Sequence, residues 1–330
     1  MTHVLTDASA GPAAEPNAPP PDLTVLVLAS ERAENLTSFY EEYITPLASL
    51  GKSIEVVFAA EGWLRHLADE VKPLALAGAR IHVLLAAQRM GETGLIRMAL
   101  PYCRSQSIVI MSAYRRIEAS ALPNVIRALD GADLVVARRW PRRDSWVNRL
   151  QGRIFHGAVS VISQGEFHDL GSGVRAMRRQ VLDDIPVYGE SYRFLPILAY
   201  RDGFTVREVD CPQHPDDKRM RVHAPGVYLR RALDLLGLYF LVRFTEKPLR
   251  FFGLVGSGIS LVGAIVLAMI VVQRIGGRAA GDRPLLLLGV LLAVLGVQAI
   301  ALGLIGEIIV HLHATRYRRY RVARPTHLLP

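Results

Sequence analysis

The sequence predicts an α/β domain on a mostly parallel β-sheet, followed by an interfacial helix and two transmembrane helices. Between residues 23 and 137, short apolar runs alternate with longer mixed segments, the pattern of parallel strands connected by covering helices. In the last third, residues 251–272 and 285–306 carry no charged side chain, and each run is long enough to cross a bilayer as a helix. The α/β domain is assigned to residues 22–226.

The chain begins with a segment rich in Ala and Pro, residues 1–21. Such a composition buries too little apolar surface to offset the entropy that is lost on ordering. We therefore expect a disordered tail before the α/β domain.

Six apolar runs are predicted to be strands, and four mixed segments are predicted to be helices between them. The strands are residues 23–29, 54–59, 81–85, 107–111, 133–137 and 205–209, and the helices are residues 36–50, 64–77, 95–103 and 121–129. Ligands of open α/β sheets bind beyond the carboxyl ends of the strands. The loops expected to form a site are therefore residues 30–35, 60–63, 89–93, 112–117 and 138–143.

Basic residues flank both apolar runs. They are Arg230, Arg231, Arg243, Lys247 and Arg250 before the first run, and Arg316, Arg318, Arg319, Arg321 and Arg324 after the second. The connecting loop holds fewer of them, and Asp282 offsets these in part. This distribution predicts a multi-pass protein of a bacterial-type inner membrane, with the α/β domain and both termini cytoplasmic. A buried hairpin in a soluble protein is the weaker alternative.

The net charge of +9 is compatible with nucleic acid, anionic lipid or an anionic substrate as a partner. We favour the membrane surface, because the excess lies beside the apolar runs and no nucleic-acid recognition motif accompanies it.

Cys103 and Cys211 lie far apart without metal-ligand spacing, which indicates a reduced cytoplasmic domain without structural zinc.

The segments around the membrane hairpin have their own predictions. Residues 227–250 show apolar residues at helical spacing with arginines among them, which is typical of a helix lying on the bilayer; a helix packed on the α/β domain is an equally good interpretation. Residues 214–226 are polar, and we expect them to be mobile. The hairpin takes residues 251–310, and residues 311–330 form a basic cytoplasmic tail. Glu307 is expected at the cytoplasmic interface.

Short motifs follow one another along the chain at residues 33–36 (Ala-Glu-Asn-Leu), 91–93 (Gly-Glu-Thr), 133–139, 169–177 (Asp-Leu-Gly-Ser-Gly-Val-Arg-Ala-Met), 188–196, 247–253 and 303–307 (Gly-Leu-Ile-Gly-Glu). In this order the set resembles family 2 glycosyltransferases of the GT-A fold. The similarity is to dolichyl-phosphate mannose synthases and to bacterial polyprenyl-phosphate glycosyltransferases with a C-terminal membrane hairpin.

The resemblance implies transfer of a sugar, with inversion, from a nucleotide sugar to a polyprenyl phosphate, with Mg²⁺ or Mn²⁺ bridging the diphosphate. It implies catalytic positions at Asp169, Arg139 and Arg175, although Asp169 is also open to a bracing role. The implied nucleotide-sugar site consists of Glu61, Gly91, Ser112, Tyr114, Arg115 and Arg116. We expect Lys218, Arg219 and Arg221 to contact the lipid phosphate; a general contact with anionic lipid headgroups is an equally good interpretation. Relatives often form homo-oligomers.

The family's metal signature is Asp-x-Asp at the end of the fourth strand, where this chain has Ser112 and Tyr114, followed by Arg115 and Arg116. We assign no metal ligand here, because neither Ser nor Tyr replaces carboxylate charge. The two arginines are either a cation clamp on the diphosphate or solvated surface residues. Surface exposure is likewise the alternative for Glu61.

Two functions therefore compete. The first is a membrane glycosyltransferase with a divergent, metal-independent site. The second is a catalytically inactive relative that binds lipid or a partner enzyme as a regulator or scaffold; a tethered binder of another anionic ligand is a weaker third.

Overall fold

The computed structural model describes residues 19–30, 32–64, 66–76, 78–141, 167–185, 191–218, 248–276 and 283–314. These residues fall into two compact units, 19–218 and 248–314. The predictions for the interfacial helix, for the basic tail beyond residue 314 and for residues 1–18 of the N-terminal tail lie outside the described residues. The proposed domain boundaries stay predictions.

The first unit is built on a seven-stranded sheet. Its strands are β1 Leu23–Ala29, β2 Ile54–Glu61, β3 Ile81–Ala86, β4 Ser107–Ser112, β5 Leu134–Arg139, β6 Arg175–Arg178 and β7 Val206–Cys211. The strand order is β3-β2-β1-β4-β6-β5-β7, in which β6 is antiparallel to both neighbours and every other pair is parallel. The predicted mostly parallel sheet is confirmed. Strand β6 is an addition to the prediction, because four residues with Arg at both ends show no strand pattern.

Helices cover the sheet. They are α1 Leu36–Tyr43, α2 His66–Leu76, α3 Gly91–Ala99, α4 Leu122–Arg127, α5 Arg179–Asp184 and α6 Leu195–Arg201. The helix predicted over residues 36–50 is divided, because Pro46 lacks the N–H that would continue it, and residues Thr45–Leu50 form a 3₁₀ turn instead. Every residue of β1 is buried, as expected for a central strand covered on both faces.

Strands β1 and β4 form the switch point of the sheet. The chain runs outward from β1 through β2 to β3 and then returns to β4 on the other side of β1. A crevice at such a point is the usual ligand site of an open α/β sheet. The loops that leave the two strands are tied together here, because the Ala113 N–H donates to the Leu28 carbonyl (2.8 Å) and the Glu34 N–H donates to the Ala113 carbonyl (2.9 Å).

The second unit consists of two long antiparallel helices, α7 Pro248–Ile275 and α8 Arg283–Ala314. The segments Pro248–Ile275 and Pro284–Ile309 contain 18-residue stretches with mean hydropathies of 2.5 and 2.7, and both segments are long and apolar enough to cross a membrane. The two predicted apolar runs lie within these helices. This confirms the predicted pair of C-terminal apolar helices.

Small residues allow the two helices to approach closely. A Cβ atom added to Gly256 would lie 2.6 Å from the Gly296 carbonyl oxygen, and one added to Gly263 would lie 2.7 Å from the Ala293 nitrogen. Glu307 of α8 accepts a hydrogen bond from the Leu249 N–H (3.3 Å), one of the N–H groups that the first turn of α7 leaves without a helical partner. This N–H is a partner for the carboxylate of Glu307 within the hairpin.

Candidate functional site

The loops after β1 and β4 place two arginines against one aromatic ring. Tyr114 is 4% exposed, and the guanidinium carbons of Arg32 and Arg116 lie 4.1 Å and 4.8 Å from the centroid of its ring. Arg116 also donates to the Tyr114 hydroxyl and to the Gly171 carbonyl, the latter at 3.0 Å. Cation–π contacts of this kind stabilise a charge that is partly removed from water. Two positive charges are thus held at the switch point.

Arg115 has different partners from its neighbour Arg116. Its Nε donates to Glu42 (2.6 Å) and its Nη1 donates to Glu34 (2.7 Å), while Nη2 reaches the Ser38 hydroxyl (2.9 Å). Partial burial by itself lowers the pKa of Arg115, but the hydrogen bonds and charges of Glu42 and Glu34 outweigh it and raise the pKa. Arg115 is therefore neither a solvated surface residue nor a cation with its charge unpaired.

A buried ion network lies at the end of β5. Arg139 grips Asp169 with Nε to Oδ2 (2.8 Å) and Nη2 to Oδ1 (2.9 Å), and its Nη1 donates to Asp217 (2.9 Å). Asp217 also accepts from Gln213 (3.0 Å). Burial lowers the pKa of Arg139, but the two carboxylates outweigh that effect and the pKa is raised. The network joins β5 to the loop that begins at Asp169.

Arg175 lies in the interior of the first unit. It is 1% exposed, and its guanidinium donates to the carbonyls of Leu170 and Arg193 at 2.9 Å each and to the Tyr192 carbonyl. Its complete burial lowers its pKa. An enclosed guanidinium that donates to three carbonyls positions the neighbouring loops. The catalytic role that the resemblance implies for Arg175 stays a prediction.

Glu61 closes the end of β2. Its Oε1 accepts from the backbone N–H groups of Met90 and Gly91 (3.1 Å each), and its Oε2 accepts from the Trp63 indole N–H (2.9 Å). At 4% exposure it is buried, so the alternative of a surface residue is wrong. Glu61 acts as the anionic cap of α3, which Gly91 begins with a φ of 67°. Glu61 and Gly91 thus fix the backbone where α3 begins. Trp63, which donates to Glu61, is 51% exposed.

The loop after Asp169 lies directly on Ser112. Gly173 has a φ of 72°, and a Cβ atom at this position would lie 3.1 Å from the Ser112 Oγ. Glycine is thus required both by the backbone conformation and by the space. The structure brings together Ser112, Arg116 and the loop from Asp169 to Gly173, as the sequence motifs imply.

The segment that was expected to be mobile before the membrane hairpin is ordered in its described part. Residues Pro215–Lys218 form a 3₁₀ turn that buries Asp217 to 5% exposure and delivers it to Arg139. The expectation of a mobile segment is therefore wrong for residues 214–218. Lys218 ends this turn, whereas Arg219 and Arg221 lie outside the described residues, so their role with lipid phosphate stays a prediction.

Two participants in the site are absent from the sequence-based prediction. Arg32 follows β1 in an unremarkable polar loop, and Asp217 lies in a polar stretch. The only available signal was position, because Arg32 falls in one of the loops at the strand ends. Neither residue carries a local pattern that shows what it contacts.

Curated proteins similar to this chain share one kind of substrate in their names. The chain is 26% identical over 294 residues to an undecaprenyl-phosphate 4-deoxy-4-formamido-L-arabinose transferase from Edwardsiella ictaluri, covering 87% of this chain and 88% of that protein. It is 29% identical to a protein of the same name from Pseudomonas paraeruginosa, covering 78% and 76%. A dodecaprenyl-phosphate galacturonate synthase from Rhizobium johnstonii is 21% identical, covering 87% of each.

The chain is a homologue of polyprenyl-phosphate sugar transferases. This confirms the resemblance stated from the motifs. No protein-family model matches the chain. Among solved structures, glucosyl-3-phosphoglycerate synthase from Mycobacterium tuberculosis overlays with a TM-score of 0.48 at 17% identity, covering 67% of this chain and 79% of that one.

The residues of this transferase homologue do not fit a divalent metal at the end of β4. Hard cations take carboxylate oxygens, and this strand is followed by Ser112, Tyr114 and two arginines. Four acidic side chains near the strand ends are engaged by N–H donors or by arginines: Glu34, Glu42, Glu61 and Asp169. Among the described residues, no group of three or more His, Cys, Asp or Glu side chains is arranged to hold a metal ion.

Proposed function

We propose that this protein is a membrane-bound glycosyltransferase that transfers a sugar from a nucleotide sugar to a polyprenyl phosphate at the cytoplasmic face. The observation that carries the proposal is similarity over 87% of the chain to an undecaprenyl-phosphate sugar transferase. The two long apolar helices of this chain support a location at the membrane, where a polyprenyl phosphate lies. The crevice at the β1–β4 switch point supports it, because that is where an open α/β sheet binds a nucleotide.

In the proposed reaction, an oxygen of the lipid phosphate attacks the anomeric carbon of the sugar. The bond between that carbon and the diphosphate oxygen breaks, and the nucleoside diphosphate leaves with the bonding electrons. The lipid phosphate is already ionised near neutral pH, so no strong general base is needed. The main demand on the protein is to stabilise the negative charge that develops on the departing diphosphate.

We propose that positive side chains meet this demand without a metal. A cation beside the leaving group stabilises the same developing charge that a metal would. Asp169 is proposed to hold Arg139 and the loop through Gly173 in place, because both of its carboxylate oxygens accept hydrogen bonds from the Arg139 guanidinium.

The membrane arrangement belongs to the same proposal. Both termini and the α/β domain are cytoplasmic, in a bacterial-type inner membrane, as the basic flanks indicate. Lys218, Arg219 and Arg221 are proposed to bind the lipid phosphate, and the protein is proposed to form a homo-oligomer.

A Gly277→Cys variant tests the topology. Labelling of intact cells by an impermeant maleimide is expected, and protection until lysis would contradict the orientation.

Sugar transfer is tested with the full-length protein in vesicles that contain undecaprenyl phosphate. A panel of radiolabelled UDP- and GDP-sugars is supplied in parallel reactions with EDTA and with Mn²⁺, and label is counted in the organic phase. We expect lipid-linked label with at least one donor in EDTA. Vesicles without undecaprenyl phosphate are the control. Absence of lipid-linked label with every donor, with and without Mn²⁺, would contradict the proposal.

A second candidate is a catalytically inactive relative that binds lipid or a partner enzyme as a regulator or scaffold. The observation in its favour is the residue set at the end of β4, where Ser112 and Tyr114 provide no carboxylate. It is distinguished by the same reactions, since such a protein would bind the vesicles without transferring label from any donor.

A further inference from the structure

The arginines at the strand ends differ in whether a carboxylate faces them. Arg115 has two carboxylate partners, Arg139 has two, and Arg138 pairs with Asp210. Arg32 and Arg116 have no ion pair within the described part of the chain, and their contacts are to the Tyr114 ring and to neutral oxygens. Two positive charges that face no carboxylate among the described residues therefore meet on the side chain of Tyr114.

Both of these arginines hold polar atoms that lack a partner. The Nε and Nη2 of Arg32 and the Nε of Arg116 are buried and have no hydrogen-bond partner among the described residues. A buried donor without an acceptor costs free energy, and more so in a charged group. Among the described residues, the other buried side-chain polar atoms without a hydrogen-bond partner are in Arg175 and Tyr192, both of which are fully enclosed. Arg32 and Arg116 are instead partly exposed.

The position of the pair selects the ligand. Arg32 follows β1 and Arg116 follows β4, so they lie on the two sides of the switch point where the crevice opens. An anion between them would neutralise two like charges and satisfy the unpartnered N–H groups at once. Because these atoms are enclosed while the residues are partly exposed, we expect the guanidinium groups to turn toward the ligand.

We propose that Arg32 and Arg116, both held on the ring of Tyr114, form a metal-independent binding site for the diphosphate of a nucleotide sugar. This rests on the proposed function, and it names the side chains that replace the metal. A diphosphate suits the pair, because its charge is spread over two phosphate groups and each guanidinium fork can grip one of them. Arg115 is excluded from the role, since Glu34 and Glu42 already occupy its donors.

The test is isothermal titration of the full-length protein in detergent, with EDTA present. The probes are UDP, GDP, inorganic pyrophosphate and farnesyl phosphate, each titrated separately into wild type, Arg32→Gln and Arg116→Gln. We expect a diphosphate probe to bind in EDTA, and each variant to weaken that binding about tenfold or more. Arg127→Gln removes an equal charge from an exposed position on α4 that bonds Asn124, and it should bind as wild type.

Folding is checked on the same preparations. Arg32 makes no side-chain hydrogen bond to another described residue, so Arg32→Gln should keep the wild-type unfolding midpoint. Arg32→Lys and Arg116→Lys retain charge without the fork, and intermediate affinity is expected. The proposal is overturned by diphosphate binding that requires Mn²⁺, by unchanged affinity in both Gln variants, or by variants that lose farnesyl phosphate but not the diphosphates.

The outcome is separable from that of the proposed function. Diphosphate binding in EDTA that is lost in the Gln variants, without sugar transfer, would support this site and contradict the transferase activity. Sugar transfer that needs Mn²⁺ and persists in both Gln variants would support the transferase activity and overturn this site.

Discussion

Replacement of Arg139 should destabilise the α/β domain more than replacement of either of its carboxylate partners. Arg139→Met removes the guanidinium that pairs with both Asp169 and Asp217, whose side chains are only 1% and 2% exposed. Asp169→Asn removes one carboxylate and leaves Arg139 paired with Asp217. The order of the two effects follows because Arg139→Met removes both of these buried ion pairs and Asp169→Asn removes one.

The magnitudes follow from the burial of the network. Removing one member of a buried, hydrogen-bonded ion pair costs about 3–5 kcal/mol. We expect Asp169→Asn at the lower end, about 3 kcal/mol, because Arg139 keeps one partner. Arg139→Met is expected at about 5 kcal/mol. At about 2–4 °C per kcal/mol for a domain of this size, the midpoints should fall by about 6–12 °C and about 10–20 °C.

The measurement is thermal unfolding of the full-length protein in detergent, followed by tryptophan fluorescence. Arg138→Gln is the matched control, because Arg138 is the adjacent residue and its pair with Asp210 is partly exposed, at 27% and 52%. Such a pair contributes about 0–1 kcal/mol. A midpoint of Arg139→Met no lower than that of Arg138→Gln, or higher than that of Asp169→Asn, would refute the reasoning.

Further predictions concern the hairpin and the cysteines. Gly296→Leu should destabilise the hairpin by about 2 kcal/mol or more in SDS titration followed by circular dichroism. Gly258→Leu is the control and should not destabilise it, because a Cβ atom at Gly258 would have no atom from elsewhere in the described chain within 4 Å. Equal effects of the two variants would contradict the packing. Glu307→Ala should lower the stability of the hairpin by about 1 kcal/mol in the same assay, and Glu307→Gln should lower it less, because Gln keeps an acceptor for the Leu249 N–H. Identical values for the two variants would contradict a stabilising role of this hydrogen bond. Burial raises the pKa of Cys103 and Cys211 to about 12, so neither thiol should react with maleimide near neutral pH before unfolding, as read by mass spectrometry.

Much of the architecture could be predicted from local patterns. The apolar strands, the covering helices and the two long apolar helices are encoded in residues that are adjacent or a few positions apart, so periodicity and run length show them. Strand β6 was not predicted because two of its four residues are arginines, and its place in the sheet depends on pairing with β4 and β5 on either side. The 3₁₀ turn that ends at Lys218 escaped because its polar composition hides the buried carboxylate of Asp217.

The candidate site divides in the same way. The motifs around Asp169 and the loops at the strand ends were visible in the sequence, since the order of the elements places those loops along one edge. The partners of each charge were not visible. Arg115 and Arg116 are neighbours of the same type, yet one is gripped by Glu34 and Glu42 and the other rests on Tyr114.

By itself, the sequence determined the mostly parallel sheet, the two long apolar helices and the resemblance to polyprenyl-phosphate sugar transferases. Only the tertiary structure decided which arginines pair with carboxylates and which lie against the ring of Tyr114. The physical reason is that ion pairing acts over a few ångströms in space, while its partners are tens of residues apart in the chain. Arg32 became a site residue only when the fold carried β1 and β4 to neighbouring positions.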